Sequence, residues 1–183
     1  MARRLSFETI GSISAIVVGI AAVLVSLDQA RTTRRAQEAA VLPLVKIQTR
    51  FANDANERSF LVEIANIGTG PAFVEDAQIV WDGGAAPDFE AVRAEMDWIG
   101  EDAAVWTGVL AGNVLGMAER QALFEARWAP DAPGASGAAI ATAEAVWSSL
   151  DVEACYCSVF EQCWRTQMNR LQRPEPVARC DAS

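Results

Sequence analysis

Three cysteines fall within ten residues of the stretch "CYCSVFEQCW", at Cys155, Cys157 and Cys163, and a fourth, Cys180, follows near the end. Thiols at such density serve as disulfide partners, as metal ligands or as a redox pair, and each use demands its own compartment. Cys155 and Cys157 are two apart in a strand-like run, so their side chains share a face and bonding to each other is awkward. Of the three pairings that four cysteines allow, two then remain, and Cys157–Cys163 with Cys155–Cys180 is the favoured one. The first closes a tight loop, and the second ties down the tail "PEPVARC". Disulfides require an oxidising compartment. A four-cysteine zinc site in a reducing cytoplasm is the competing reading, although C-x-C-x5-C-x16-C lacks the paired C-x2-C knuckles of structural zinc sites. A redox pair ranks third, because no C-x-x-C is present and Arg165 is the sole cation close to the three clustered cysteines.

The 183-residue sequence contains no histidine. This removes Ser-His-Asp and Cys-His nucleophile pairs, His-ligated zinc and imidazole acid–base work near neutral pH. Paired acids at Glu75-Asp76 and Glu101-Asp102 are expected to be solvated surface groups, so no enzyme and no cofactor is expected. The formal charge of −9 is divided unevenly. Seven Lys/Arg and three Asp/Glu lie in the first 50 residues, against eight and twenty-one in the remainder. A basic start suits an anionic lipid surface, and an acidic remainder excludes nucleic acid, whose affinity rests on neutralised phosphates.

The elements that must place the cysteines begin with "IGSISAIVVGIAAVLVSL", Ile10 to Leu27, eighteen residues without charge or proline. As a helix it rises about 27 Å, against a hydrocarbon core of roughly 30 Å. A secretory signal peptide is the rival, but the run is long for one, and the downstream "DQA" puts an acid where a peptidase wants a small residue. The helix is expected to continue through "DQARTTRRAQEAAVL" to Pro43, with Asp28/Arg31 and Arg34/Glu38 at pairing distances. Ser12, Ala15, Gly19, Ala22 and Ser26 form one small-residue stripe along it, suited to a second membrane helix or a second copy. Arg3 and Arg4 against Arg31, Arg34 and Arg35 leave the orientation nearly tied. The cysteines break the tie toward a periplasmic C-terminal domain.

Residues 1–42 are therefore expected to form an anchor helix with a juxtamembrane extension, and 43–183 a mainly β domain. "LVKIQTRF" presents Val45, Ile47 and Phe51 on one face, "SFLVEIANI" presents Phe60, Val62 and Ile64, and "FVEDAQIVW" presents Phe73, Ala77, Ile79 and Trp81. "TGVLAGNVL", "QALFEARW" and "DVEACYCSVF" read as further strands, "DFEAVRAEM" as a short helix capped by Asp88, and "AIATAEAVWSSL" as either helix or strand. "NDAN", "GTGPA" and "DGG" mark turns. In "NIGTGPA", Gly68 and Gly70 are expected to take positive φ, Pro71 to stiffen the exit, and the Asn66 side chain to bond nearby backbone. Six or seven short strands read as an immunoglobulin-like β-sandwich. Of the six tryptophans, Trp98 and Trp106 are the candidates for an exposed recognition surface.

"LPLVKI", "VEIANIGTGPAFVEDAQIVWDG" and "CYCSVFEQCW" with a late cysteine resemble a group of uncharacterised bacterial single-pass membrane proteins. These share a V-S-L-x-Q-A helix end, an N-x-G-x-G-P-A turn and a Y-C-S-V-F-x-x-C-W segment. The resemblance implies an inner-membrane protein whose cysteines act together, and implies no activity. The function expected is a membrane-anchored binding or assembly module. The alternative is a cytoplasm-facing sensor or subunit with a structural zinc held by the four cysteines.

Overall fold

The computed structural model describes residues 7–53, 58–94, 96, 99, 103–129, 149–168 and 173–180. The chain divides after Ala40 into a helical unit and a compact second unit. The first is one helix, α1, Phe7–Ala40, about 51 Å long at the standard rise. Ala, Leu, Gln, Glu and Arg favour it, and no proline interrupts it. Its apolar part has a mean hydropathy of 2.0 and is fully exposed among the described residues. By length and composition this helix is able to cross a membrane. Past the apolar run, Arg34 pairs with Glu38 at 3.0 Å, as a water-exposed extension requires.

The second unit is mainly β, with two antiparallel sheets. One holds β1 (Val45–Asn53), β2 (Arg58–Asn66), β7 (Arg120–Trp128) and β5 (Ala103–Thr107), in the order β1-β2-β7-β5. The other runs β10 (Glu175–Val177), β9 (Cys163–Gln167), β8 (Leu150–Cys157), β3 (Ala72–Trp81) and β4 (Gly84–Ala86), while β6 (Val114–Leu115) pairs the start of β3. Period-two alternation on both sheets feeds a single core. Phe60, Val62, Ile64, Phe124 and Ala126 come from the first sheet, and Val74, Ile79, Val152, Ala154 and Tyr156 from the second.

Two bulges carry more than local interest. Val74 faces Tyr156 while Asp76 faces Cys155, which leaves Glu75 as the extra residue on β3. The extra residue reverses the parity of the strand. Ala72 and Val74 are buried before it, and Ala77, Ile79 and Trp81 face the core after it. Phe73, expected on the same face as Ala77, is therefore on the other one. A second bulge leaves Leu123 unpaired on β7, opposite the Val62/Glu63 step, and both Leu123 and Phe124 are buried.

Other expectations shift as well. "TGVLAGNVL" is not one strand, because Gly108 to Asn113 form a turn in which Gly112 has φ 80°. The strand there is the preceding "AAVWT", and only Val114–Leu115 pair again. "DGG" is a two-residue hairpin loop, with Asp82 at φ 47° and Gly83 at φ 78°, the left-handed pair that suits a twisted hairpin. The short helix, α2, spans Phe89–Ala94, and the Asp88 carboxylate accepts the Ala91 N–H at 2.8 Å as its cap. "AIATAEAVWSSL", apart from its last two residues, and the pair Glu101-Asp102 lie outside the described residues.

Candidate functional site

The four cysteines meet on the outward face of the second sheet. On β8, Leu150, Val152, Ala154 and Tyr156 face the core, which turns Cys155 and Cys157 outward. β8 and β9 form a hairpin whose turn is held from within. The Ser158 N–H donates to Gln162 O at 2.8 Å, and the Ser158 hydroxyl accepts from the Phe160 N–H at 3.2 Å. That turn sets Cys157 directly opposite Cys163, and the two are bonded, with S–S 2.06 Å and Cα–Cα 4.0 Å.

Beyond β9 the tail adds β10 along its free edge, with Val177 opposite Cys163. The next three residues cross back over β9, and Cys180 bonds Cys155 with S–S 2.03 Å and Cα–Cα 5.5 Å. The two disulfides touch. Cys157 Sγ is 3.7 Å from Cys180 Sγ, and the sulfurs of Cys157, Cys163 and Cys180 lie within 4.8 Å of one another. Cys155 is the deepest, 3% exposed, while Cys157 and Cys180 remain partly open. Arg165 faces Cys155 across the hairpin, and its Nε is 2.9 Å from Glu153 Oε1.

The "NIGTGPA" turn is the other cluster of singled-out residues, and its physics differs from the expectation. Gly68 and Gly70 are absent from the positive-φ residues. They are needed for space. A Cβ on Gly68 would lie 2.3 Å from Leu44 N and 2.4 Å from Leu42 O, and one on Gly70 would lie 2.0 Å from Val41 O. The segment that leaves Ala40 is therefore laid across the turn with no room for a methyl group. Thr69 N–H donates to Leu42 O at 3.0 Å and Ile67 N–H to Leu44 O at 2.8 Å. Val41 and Leu42 are thereby held against the turn, within the unit that begins at Val41.

Asn66, fully buried, ties the turn together. Its Oδ1 accepts from Leu44 N at 3.3 Å and Gly68 N at 3.0 Å, and its Nδ2 donates to Gly70 O at 2.7 Å, Leu115 O at 3.1 Å and Gly116 O at 3.2 Å. The sequence pointed to bonds with nearby backbone. Those to Leu115 and Gly116, about fifty residues away, had no local signal. Pro71 leads directly into β3 at Ala72, where a missing N–H costs no ladder bond.

Tyr156 carries a further long-range bond. Its ring is fully buried and stacks on Trp164 with centroids 5.8 Å apart, and its hydroxyl accepts the Val45 N–H of the opposite sheet at 3.3 Å. Burial raises the phenol above its ordinary value of 10.0, and the Val45 hydrogen bond opposes that in part. The folded chain holds this proton to higher pH than the unfolded chain does. The stabilising contribution is complete below about pH 10 and declines as pH rises beyond it. Tyr156 is the sole tyrosine in the sequence, so ultraviolet phenolate absorbance reads it alone. The absorbance is expected to rise together with loss of near-ultraviolet circular dichroism, and Tyr156→Phe should remove that alkaline slope. Ionisation at the ordinary value with the fold intact would show that water reaches the phenol.

Along α1, Ser12, Ala15, Gly19, Ala22 and Ser26 are all exposed, and the Ser26 hydroxyl donates to Ala22 O at 2.8 Å within the helix. That hydroxyl is thus satisfied without a partner helix. Trp106 is 49% exposed on the edge strand β5, whereas Trp128 is buried and donates its indole N–H to Ile99 O at 3.1 Å. Trp98 lies outside the described residues. No protein-family model and no curated protein matches the chain, so its function is argued from its own residues.

Proposed function

We propose that the chain is a single-pass protein of the bacterial inner membrane. It presents an immunoglobulin-like β-sandwich in the periplasm as a binding or assembly module, and it belongs with the uncharacterised proteins whose motifs it resembles. The observation that carries this reading is the covalent junction of two incompatible solvents. A helix whose apolar run is exposed among the described residues is joined to a domain whose four sulfurs are paired as disulfides. The helix calls for lipid and the disulfides for an oxidising side, so the head sits outside.

The strand orders support the immunoglobulin-like assignment. In chain order, β1-β2-β7-β5 follows the A-B-E-D arrangement and β9-β8-β3-β4 follows G-F-C with an added C′. The staple differs from that of antibody domains. There a disulfide spans the core from B to F, whereas here Val62 and Tyr156 fill the interior and the disulfides sit outside strands F and G. Binding is assigned to the β5 side, where "AAVWT" is, among the described residues, an edge strand without charge or proline and Trp106 stands half exposed. Exposed aromatics of this kind are the common anchors of protein contacts.

Reporters fused after Ser183 test the reading. A reporter active only after export is expected to be active, and one active only in the cytoplasm silent. The reverse pattern would favour the alternative, a cytoplasm-facing head that holds zinc on its four cysteines.

A further inference from the structure

We propose that the four sulfurs form a thiol–disulfide exchange site for a dithiol, in which Cys180 is shared between Cys155 and Cys157. The proposal rests on the disulfide reading above. Its geometric basis is the van der Waals contact of Cys157 Sγ with Cys180 Sγ, at 3.7 Å across two separate disulfides. Exchange proceeds by attack of a thiolate on a disulfide sulfur, and proximity converts that attack into an intramolecular event.

A dithiol reduces Cys157–Cys163, giving two thiols in the protein and a disulfide in the reductant. The Cys157 thiolate, having lost its proton to solvent, then attacks Cys180 Sγ. A Cys157–Cys180 bond forms, the Cys180–Cys155 bond breaks, and Cys155 leaves as the thiolate and takes up a proton. The second step moves no net electrons. The loops closed by Cys155–Cys180 and Cys157–Cys180 span 25 and 23 residues, so their chain entropies are nearly equal, which favours a true partition between the two exchanging forms. The hairpin bond opened in the first step spans only 6 residues, the weaker constraint on the unfolded chain, and is absent from both forms.

The consequence is mechanical. Cys155 and Cys157 are two residues apart on one face of β8, so exchange moves the anchor point of the tail by about 6.7 Å along the strand. The tail segment after β10 thereby has two registers over the sheet, selected by a dithiol.

Disulfide mapping of the full-length, detergent-solubilised protein tests this. The untreated protein is mapped first, then treated anaerobically with one equivalent of dithiothreitol, quenched with acid, alkylated and digested. The expected result is a Cys157–Cys180 peptide with Cys155 and Cys163 alkylated, within about tenfold of the abundance of the Cys155–Cys180 form. A map retaining only Cys155–Cys180, with Cys157 and Cys163 alkylated, would overturn the exchange and leave the disulfide reading intact. Untreated protein without disulfides would overturn both. Cys163→Ser gives an independent readout without reductant. Its one free thiol should be divided between Cys155 and Cys157, and a thiol found on Cys157 alone contradicts the proposal.

Discussion

Asn66→Ala is expected to destabilise the β domain by about 3–4 kcal/mol, the largest effect expected of a single polar substitution among the described residues. The side chain makes five hydrogen bonds to backbone groups of three segments, the helix exit, its own turn and the β6–β7 connection. Removing it leaves buried acceptors at Gly70 and Leu115, and a half-buried one at Gly116, without that donor, at about 1–3 kcal/mol for each group that water cannot reach. Asn66→Asp keeps the acceptor that serves Leu44 and Gly68 but loses the donor, so it should not restore stability. Urea unfolding of the full chain in detergent, followed by near-ultraviolet circular dichroism, reads the shift. A loss below about 1 kcal/mol would mean that water or a neighbour replaces these bonds and that the turn does not depend on Asn66.

The second large effect concerns the tail. Cys155→Ala with Cys180→Ala opens a loop of 25 residues and is expected to lower stability by about 3 kcal/mol, while Cys157→Ala with Cys163→Ala opens one of 6 and should cost about 2 kcal/mol. The order follows from loop length. Cys155 is nearly fully buried, so its replacement also leaves a small gap under the tail. The first double variant should in addition release residues after Val177 to proteolysis, because three backbone-paired residues of β10 are all that then hold them. Urea midpoints in the opposite order would show that the hairpin bond, and not the tail bond, restrains the unfolded chain.

The parts of the fold that were readable from sequence are those governed by local periodicity. Phe60, Val62 and Ile64 alternate and are all buried, the uncharged Ile10–Leu27 run is helical throughout, and Asp88 caps α2 as its position before Phe89 suggested. Where the fold departs from local periodicity, one cause recurs. Parity puts Phe73 with Ala77, and a single bulged residue, Glu75, reverses that parity through a pairing with β8, about eighty residues away. The positive φ expected of Gly68 and Gly70 was likewise a local argument. Their real constraint is the backbone of Val41 to Leu44, brought over the turn from another part of the chain. The short strands β4, β6 and β10 carry two or three residues each and have no period to detect. At the sulfur cluster, strand geometry narrowed the pairings to two. The contact between the two disulfides was not legible, since it depends on how the tail recrosses β9.

The proposed reading joins a head whose four sulfurs are paired to a helix long and apolar enough to cross a membrane. Its most direct test is a thiol count on freshly isolated membranes, dissolved in acid denaturant and alkylated with and without prior reduction. The labels are then counted on the intact chain by mass. The account predicts no label before reduction and four after it. Four labels without reductant would contradict it.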